Sequence, residues 1–365
     1  MSKVNIAVTG YYATGSSAMI DLLAEYSNTQ VVPYGRKNYE HVPFYIANGL
    51  FNLAAILLNG NSPLVSDAAI NQFLDSMRKC NDYDFGWFGG YAEMFGDSFT
   101  KITDDFINSI ASEFPGRNLN HNVKTELSTK SAIIQVLSAI KHLKPIKKWQ
   151  KKVVFDDKKS YFAIPTEEEF YEAAQKFTSA YLNLFEVKQD CEYRIFDHLV
   201  LPQQIEKYKA CFGEDVKFIV MERDPRDVYV SNKYMWFKNS KPYFPREPHA
   251  YSDIWRRIVQ SPQNSDNVLV VNFENLIYKY DEEVARIEKF LGLAPSAHIY
   301  PQKFFNPNVS IDNTQLFKAV EEWGEDMPVI EDELANFLYQ YPYERIPKTE
   351  DIFSYKYLKT DSSKK

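Results

Sequence analysis

The chain has little cysteine, no long apolar run and no excess of positive charge, and each shortage removes a class of protein. Its three cysteines, Cys80, Cys191 and Cys211, stand far apart and are odd in number. They make neither a paired zinc spacing nor a disulfide framework, and they predict a reducing compartment. The most apolar stretch, 51–58, falls well short of the ~20 residues a helix needs to cross a bilayer. No signal-peptide pattern follows Met1-Ser2-Lys3, so a soluble, cytoplasmic protein is expected. A formal charge of −7 gives no support for a general nucleic-acid or acidic-membrane surface, although it leaves room for a local basic pocket.

What is present is an ordinary globular composition, 45% hydrophobic and 25% charged, with an aromatic content of 15% that suits either sugar-stacking grooves or biased codon usage. The run Val4 to Gly10 reads as a buried strand, Tyr11 to Ser17 as a glycine-bounded turn, and Ala18 to Leu23 as the start of a helix. Strand, tight turn and helix make a phosphate cradle, because the first backbone N–H groups of the helix have no partner within it. The competing reading is a plain βα turn with glycine for geometry alone.

Further strands are expected at 30–33, 192–198, 216–221 and 268–271, with helices at 201–212, 253–259 and 282–291 between or after them. Such alternation calls for a mostly parallel sheet with helices on both faces. Between 42 and about 188 the pattern turns mostly helical, at 46–58, 68–77, 106–114, 130–143 and 167–185, and is read as an insertion too long for a simple crossover. It holds a lysine-rich stretch, 141–159, and an aromatic-glycine loop, Phe85 to Tyr91, read as loop packing or as an acceptor platform. The expected fold is therefore α/β: a P-loop NTPase-like three-layer αβα domain over 1–358 with a large helical insertion, and a frayed tail at 359–365. Sites in such folds gather at the C-terminal ends of strands, where Gly10–Ser17, Asp197–His198, Arg223 and Phe273–Glu274 all fall.

The glycine spacing of Gly10 to Ser17 is that of a Walker A loop, but Ser16 stands where the lysine should be, which weakens a kinase or ATPase reading. Farther on, Lys217 to Ser231 reads as strand, charged turn with Pro225, then helix. Arg223 at the strand end suits a phosphate, Ser231 follows as a neutral donor, and Asp224, Arg226 and Asp227 suit a structural ion cluster.

On these residues the chain resembles the sulfotransferases that use 3'-phosphoadenosine 5'-phosphosulfate. Ala13-Thr14-Gly15-Ser16-Ser17 is similar to that family's 5'-phosphosulfate loop, and Arg223-Asp224-Pro225-Arg226-Asp227 with Ser231 to its 3'-phosphate motif. Val270 to Leu276, Ile287 to Leu293 and Asp197 to Pro202 resemble further family stretches. The resemblance covers about the first 25 residues and 190–293, and implies a donor site made of Tyr12, Ala13, Thr14, Gly15, Ser16, Ser17, Arg223 and Ser231. It implies sulfuryl transfer without a required metal, with adenosine 3',5'-bisphosphate as product.

The implied acceptor is a carbohydrate or other small-molecule hydroxyl, and a soluble member without a Golgi-type anchor suggests a bacterial enzyme acting on a cell-surface glycan precursor or small metabolite. The proton acceptor is open between Glu40 or His41 and Asp197 or His198. Two features depart from the family pattern. Position 13 is alanine where a lysine or arginine is usual, so either Arg36 or Lys37 supplies the charge or catalysis is impaired. The family's C-terminal Arg-Lys-Gly segment has no counterpart, which leaves Lys303 or the 310–314 turn to cover the nucleotide. The rival readings are a P-loop nucleotide kinase and a nucleotide-binding relative that has lost its chemistry.

Overall fold

Every residue from Asn5 to Gly10 is buried, so this strand needs cover on both faces, the situation of a central strand in a parallel sheet. The computed structural model describes residues 3–35, 39–114, 123–127, 151–155, 160–236, 243–259 and 264–352. Its strands are β1 (Val4–Gly10), β2 (Thr29–Val32), β3 (Ser112–Phe114), β4 (Val123–Leu127), β5 (Lys151–Phe155), β6 (Ser160–Phe162), β7 (Tyr193–Asp197), β8 (Val216–Glu222) and β9 (Val268–Asn272). Five of them form one parallel sheet in the order β2-β7-β1-β8-β9. The chain leaves β1 toward one edge and later returns to β8 on its other side, so the turn after β1 sits where the winding reverses, a usual place for ligands.

Register decides which groups meet at that edge. Val8 pairs with Asp197, Gly10 with Met221, and Glu222 with Asn272. The residues that follow these positions therefore emerge side by side. On one face Ile6, Val8, Ile195, Ile219, Met221, Leu269 and Val271 pack under α1 (Ser16–Leu23) and the helical segments Phe273–Tyr278 and Tyr280–Leu291. On the other face Phe196 meets His41 and Phe185, and Phe218 meets Phe212. The result is a three-layer α/β, P-loop-like fold.

The chain divides into two compact units, 1–45 with 84–89 and 181–365, and 46–83 with 90–180. The first holds the sheet. The second is built on helices Leu50–Leu57, Pro63–Asp82, Ser98–Ile110 and most of Glu167–Asn183, with Phe106 in ring contact with Phe73, Phe170 and Phe177. It also contains antiparallel pairs β3–β6 and β4–β5, which differ from the mostly helical expectation. Val153 and Val154 favour extended backbone, a preference hidden in the sequence by the surrounding lysines. The helix expected over 130–143 lies outside the described residues, as does the 141–159 stretch apart from the backbone of β5. Among the described residues, no helix is long and apolar enough to cross a membrane.

Candidate active site

The turn after β1 is shaped by backbone constraints. A Cβ on Gly10 would lie 2.2 Å from Thr14 Oγ1, and one on Gly15 would lie 2.7 Å from the Phe273 ring. Gly15 also has φ 96°, the left-handed region that glycine enters without cost, and it caps α1. The Tyr11 N–H donates to Thr14 Oγ1 at 3.0 Å, and Thr14 is buried. Thr14 therefore closes the turn from inside, while Ser16 is half-buried and Ser17 exposed. Tyr12 and Ala13 take φ 49° and 59°, uncommon for residues with a Cβ and of the kind that collects at functional turns.

Arg223 joins this turn to the second motif. Its Nη1 donates to the Ala13 carbonyl at 2.8 Å and its Nη2 to the Asn313 carbonyl, with the guanidinium 5.0 Å above the Phe273 ring. Its Nε has no partner among the described residues. The two motifs read from the sequence as separate cradles are thus in direct contact. Ser231 is buried, and its hydroxyl donates to the Asp227 carbonyl at 2.8 Å, one turn back in the helix. The 310–314 turn does reach Arg223 through Asn313, whereas Lys303 lies over the Tyr300 ring at 4.2 Å.

The acids and the second arginine of the motif are structural. Asp224 caps helix Pro225–Val230 by accepting from the Arg226 N–H, and it also receives Arg226 Nη2 at 2.7 Å and the Tyr339 N–H at 3.0 Å. Arg226 pairs in addition with Glu331 at 2.8 Å. The fully buried Asp227 carboxylate accepts from the backbone of Gln315 and Leu316 and from the Tyr341 hydroxyl, and burial raises its pKa despite Arg223. Glu274, also fully buried, accepts the Asp224 N–H at 2.9 Å; burial, then the Asp224 charge, pushes its carboxyl up to about 8. A cavity of about 400 Å³ opens beside Thr14 and Arg223, with Trp255, Asn272 and Tyr339 also in its wall.

The four candidate proton carriers separate cleanly. His41 is fully buried, its Nδ1 2.9 Å from the Tyr181 hydroxyl and its Nε2 3.1 Å from the Val32 carbonyl. A carbonyl only accepts, so Nε2 carries the proton and Nδ1 takes the tyrosine's. Burial holds the ring neutral, with its pKa pushed down to about 3. Both nitrogens are thus occupied inside the core, and the ring packs among Tyr39, Tyr181, Phe185 and Phe196.

His198 differs. It has φ 52°, its N–H donates to the Val8 carbonyl, and its Nδ1 lies 2.5 Å from Asp197 Oδ1. Burial alone would lower its pKa, but Asp197, Glu40 and a bond to the Gly10 backbone outweigh it and lift the ring to about 9. The imidazolium thus stands directly behind the turn. Glu40 bridges to Asp197 in β fashion and accepts the Tyr45 hydroxyl at 2.6 Å; burial raises its pKa, partly offset by His198. Arg36 and Lys37 lie outside the described residues.

Sequence reasoning singled out neither Tyr45 nor Tyr243, whose ring stacks on Tyr12 at 4.1 Å. No local pattern marks either one: Tyr243 meets Tyr12 from far along the chain, and Tyr45 reaches Glu40 across a short irregular loop. Phe273 and Glu274 were visible as a strand end and within the Val270 to Leu276 stretch.

Residues 122–296 match the model of the sulfotransferase family. The match includes Asp197–His198, Arg223 to Ser231 and Phe273–Glu274; it begins inside the insertion, and the 10–17 turn lies outside it. Solved structures that resemble the chain include the sulfotransferase domain of the Synechococcus PCC 7002 olefin synthase, 13% identical over 94% of this chain and 96% of that one, TM-score 0.37. Others are the sulfotransferase STF9 from Mycobacterium avium, 12% identical over 95% and 78%, TM-score 0.35, and a retinol dehydratase in complex with androsterone and inactive cofactor PAP, 14% identical over 94% and 84%, TM-score 0.31. Likeness at those scores is too distant to carry function. No curated protein matches. The match over 122–296, just under half of the chain, spans the strand-end motifs that follow β7, β8 and β9.

Proposed function

We propose that the chain moves a sulfuryl group from 3'-phosphoadenosine 5'-phosphosulfate to a hydroxyl of a carbohydrate or small-molecule acceptor and releases adenosine 3',5'-bisphosphate. The observation that carries this reading is the bond from Arg223 to the Ala13 carbonyl, which brings the phosphate arginine onto the glycine turn. The residues fit such a donor: Gly10 and Gly15 keep the floor of the turn clear of side chains, and the Arg223 Nε is unpartnered among the described residues. The cavity beside Thr14 falls in the size range of small-molecule sites, roughly 300–1,000 Å³.

The donor supplies an activated sulfur whose bond to the 5'-phosphate oxygen breaks as the acceptor oxygen bonds to it. In this reading the N–H groups at the start of α1, with Ser16 and Ser17, meet the oxygens around that sulfur. His198, protonated at neutral pH, gives the Gly10 end of the turn the positive charge that Ala13 lacks. Asp197 holds its Nδ1, and Glu40, oriented by Tyr45, takes the acceptor's proton.

The test is ligand-induced stabilisation together with transfer. Adenosine 3',5'-bisphosphate is expected to raise Tm and MgATP to leave it unchanged. Arg223→Ala is expected to weaken the bisphosphate by about 10- to 100-fold while affecting adenosine 5'-phosphate little. Stabilisation by MgATP alone would favour the kinase reading. Bisphosphate binding with no transfer to any hydroxyl would favour a relative without chemistry.

A further inference from the structure

Four large aromatic side chains remain substantially exposed on segments that meet Glu40 or its surroundings: Tyr12 at 38%, Phe85 at 48%, Trp87 at 45% and Tyr243 at 56%. Single exposed rings are common on protein surfaces and need no explanation. These come from three separate parts of the chain, and each part is tied to the same carboxylate or its backbone. The Glu40 N–H donates to the Trp87 carbonyl at 2.7 Å. Tyr12 and Tyr243 are stacked on one another at 4.1 Å with ring planes 8° apart, and both feel the Glu40 charge.

Each segment is also built to hold its ring outward. The Phe85–Trp87 turn is closed by the Asp84–Gly89 bridge, by the Gly86 N–H on Asp84 at 2.7 Å and by the Tyr39 hydroxyl on the Gly89 carbonyl at 2.8 Å. Tyr243 precedes Phe244, a buried residue whose N–H and carbonyl are both bonded by the buried Asn232 side chain. Tyr12 is turned out by the left-handed backbone of the glycine turn itself. Ordered rings of this kind lose little conformational freedom on contact, so they suit a flat C–H or π face.

We propose that Tyr12, Tyr243 and Trp87 form a rim beside Glu40 that binds the neutral, hydroxyl-bearing ring of the acceptor. This rests on the sulfuryl-transfer reading, since it takes Glu40 as the group that meets the acceptor. A ring laid on the Tyr12–Tyr243 stack presents its edge, where hydroxyls stand, toward Glu40. The acceptor is neutral because Glu40 and Asp197 would repel a carboxylate or sulfate carried on the same ring. A pyranoside and a phenol share this chemistry.

Saturation-transfer NMR on the full chain separates these sources, using methyl glucoside and methyl galactoside, phenol, methyl glucuronide and propanol as probes. Neutral rings are expected to bind the wild-type chain, with the glucuronide and propanol weaker. Tyr243→Ala and Trp87→Ala are each expected to weaken ring binding about tenfold while leaving the Kd for adenosine 3',5'-bisphosphate unchanged. Transfer to the pyranosides alone names a sugar acceptor, and to phenol alone an aromatic one. Equal ring binding by wild type and both variants overturns the rim, as does the absence of ring binding in the wild type. Ring binding is read without the nucleotide, so a failure of the bisphosphate to bind would count against the donor site and not against the rim.

Discussion

A lysine at position 13 would reach the transferring group from the front of the turn, whereas in the proposed mechanism His198 supplies charge from behind, through Gly10. The two arrangements respond differently to pH. Glu40 must lose its proton to act as base, and its pKa is raised above 4.5 by burial, so the rate should climb on the acid side as it ionises. His198 is charged below about 9, so the rate should fall again as pH rises through that value. A bell-shaped profile is expected, and His198→Gln should lower the plateau and remove the alkaline limb. If His198 were instead the base, activity would rise through pH 9, and a pH–rate curve of the wild-type chain tells the two apart.

At the scale of elements, the C-terminal segment is held by carboxylates far away in sequence. Asp227 receives two backbone amides and a tyrosine hydroxyl from residues 315, 316 and 341, and Asp224 receives the Tyr339 amide. Glu25, fully buried just past the end of α1, likewise takes the amides of Gln302, Phe304 and Phe305. Asp227→Asn offers these amides one acceptor oxygen in place of two and should cost about 2–3 kcal/mol, read as a lower denaturant midpoint at unchanged slope. Tyr341→Phe removes only one of the three donors and should cost about 1 kcal/mol.

The same elements show how far the sequence could be read. The parallel strands were legible because each is a short apolar run followed by polar residues, and strand ends gather sites in this architecture. The structural character of Arg226 was also visible, since opposite charges clustered around a proline turn pair as it does with Asp224, whereas Asp227 is held by backbone amides and a tyrosine from far along the chain. His41 and His198 could not be told apart, as each neighbours an acid after an expected strand. What separates them is burial against Tyr181 and Val32 in one case and a bond to Gly10 in the other. The order of the C-terminal segment comes from these distant carboxylates and not from any periodic pattern of its own, so no local sign of it stands in the sequence.

At the scale of the whole molecule, buried groups shift how stability depends on pH, and the signs of three of them decide the neutral-to-alkaline range. His41 titrates near 3 when folded and near 6.5 when unfolded, so the unfolded chain binds the extra proton between those values and stability rises with pH across that window. Glu274 titrates near 8 when folded against an ordinary 4.5, so the folded chain keeps the proton longer and stability falls from about 4.5 to 8. His198, near 9 when folded against 6.5, adds stability that is complete below 6.5 and is lost as pH rises to about 9. Above pH 6.5 the rising contribution is exhausted while both falling ones act. Tm should therefore decline from pH 6.5 to 9 with no bound ligand. Glu274→Gln keeps a carbonyl for the Asp224 N–H but cannot ionise, so it should flatten that decline between 6.5 and 8 and leave the part nearer 9, which belongs to His198. A scan of Tm against pH for the two chains checks this; a wild-type curve that is level or rising above pH 7 would show that neither group is held as this packing requires.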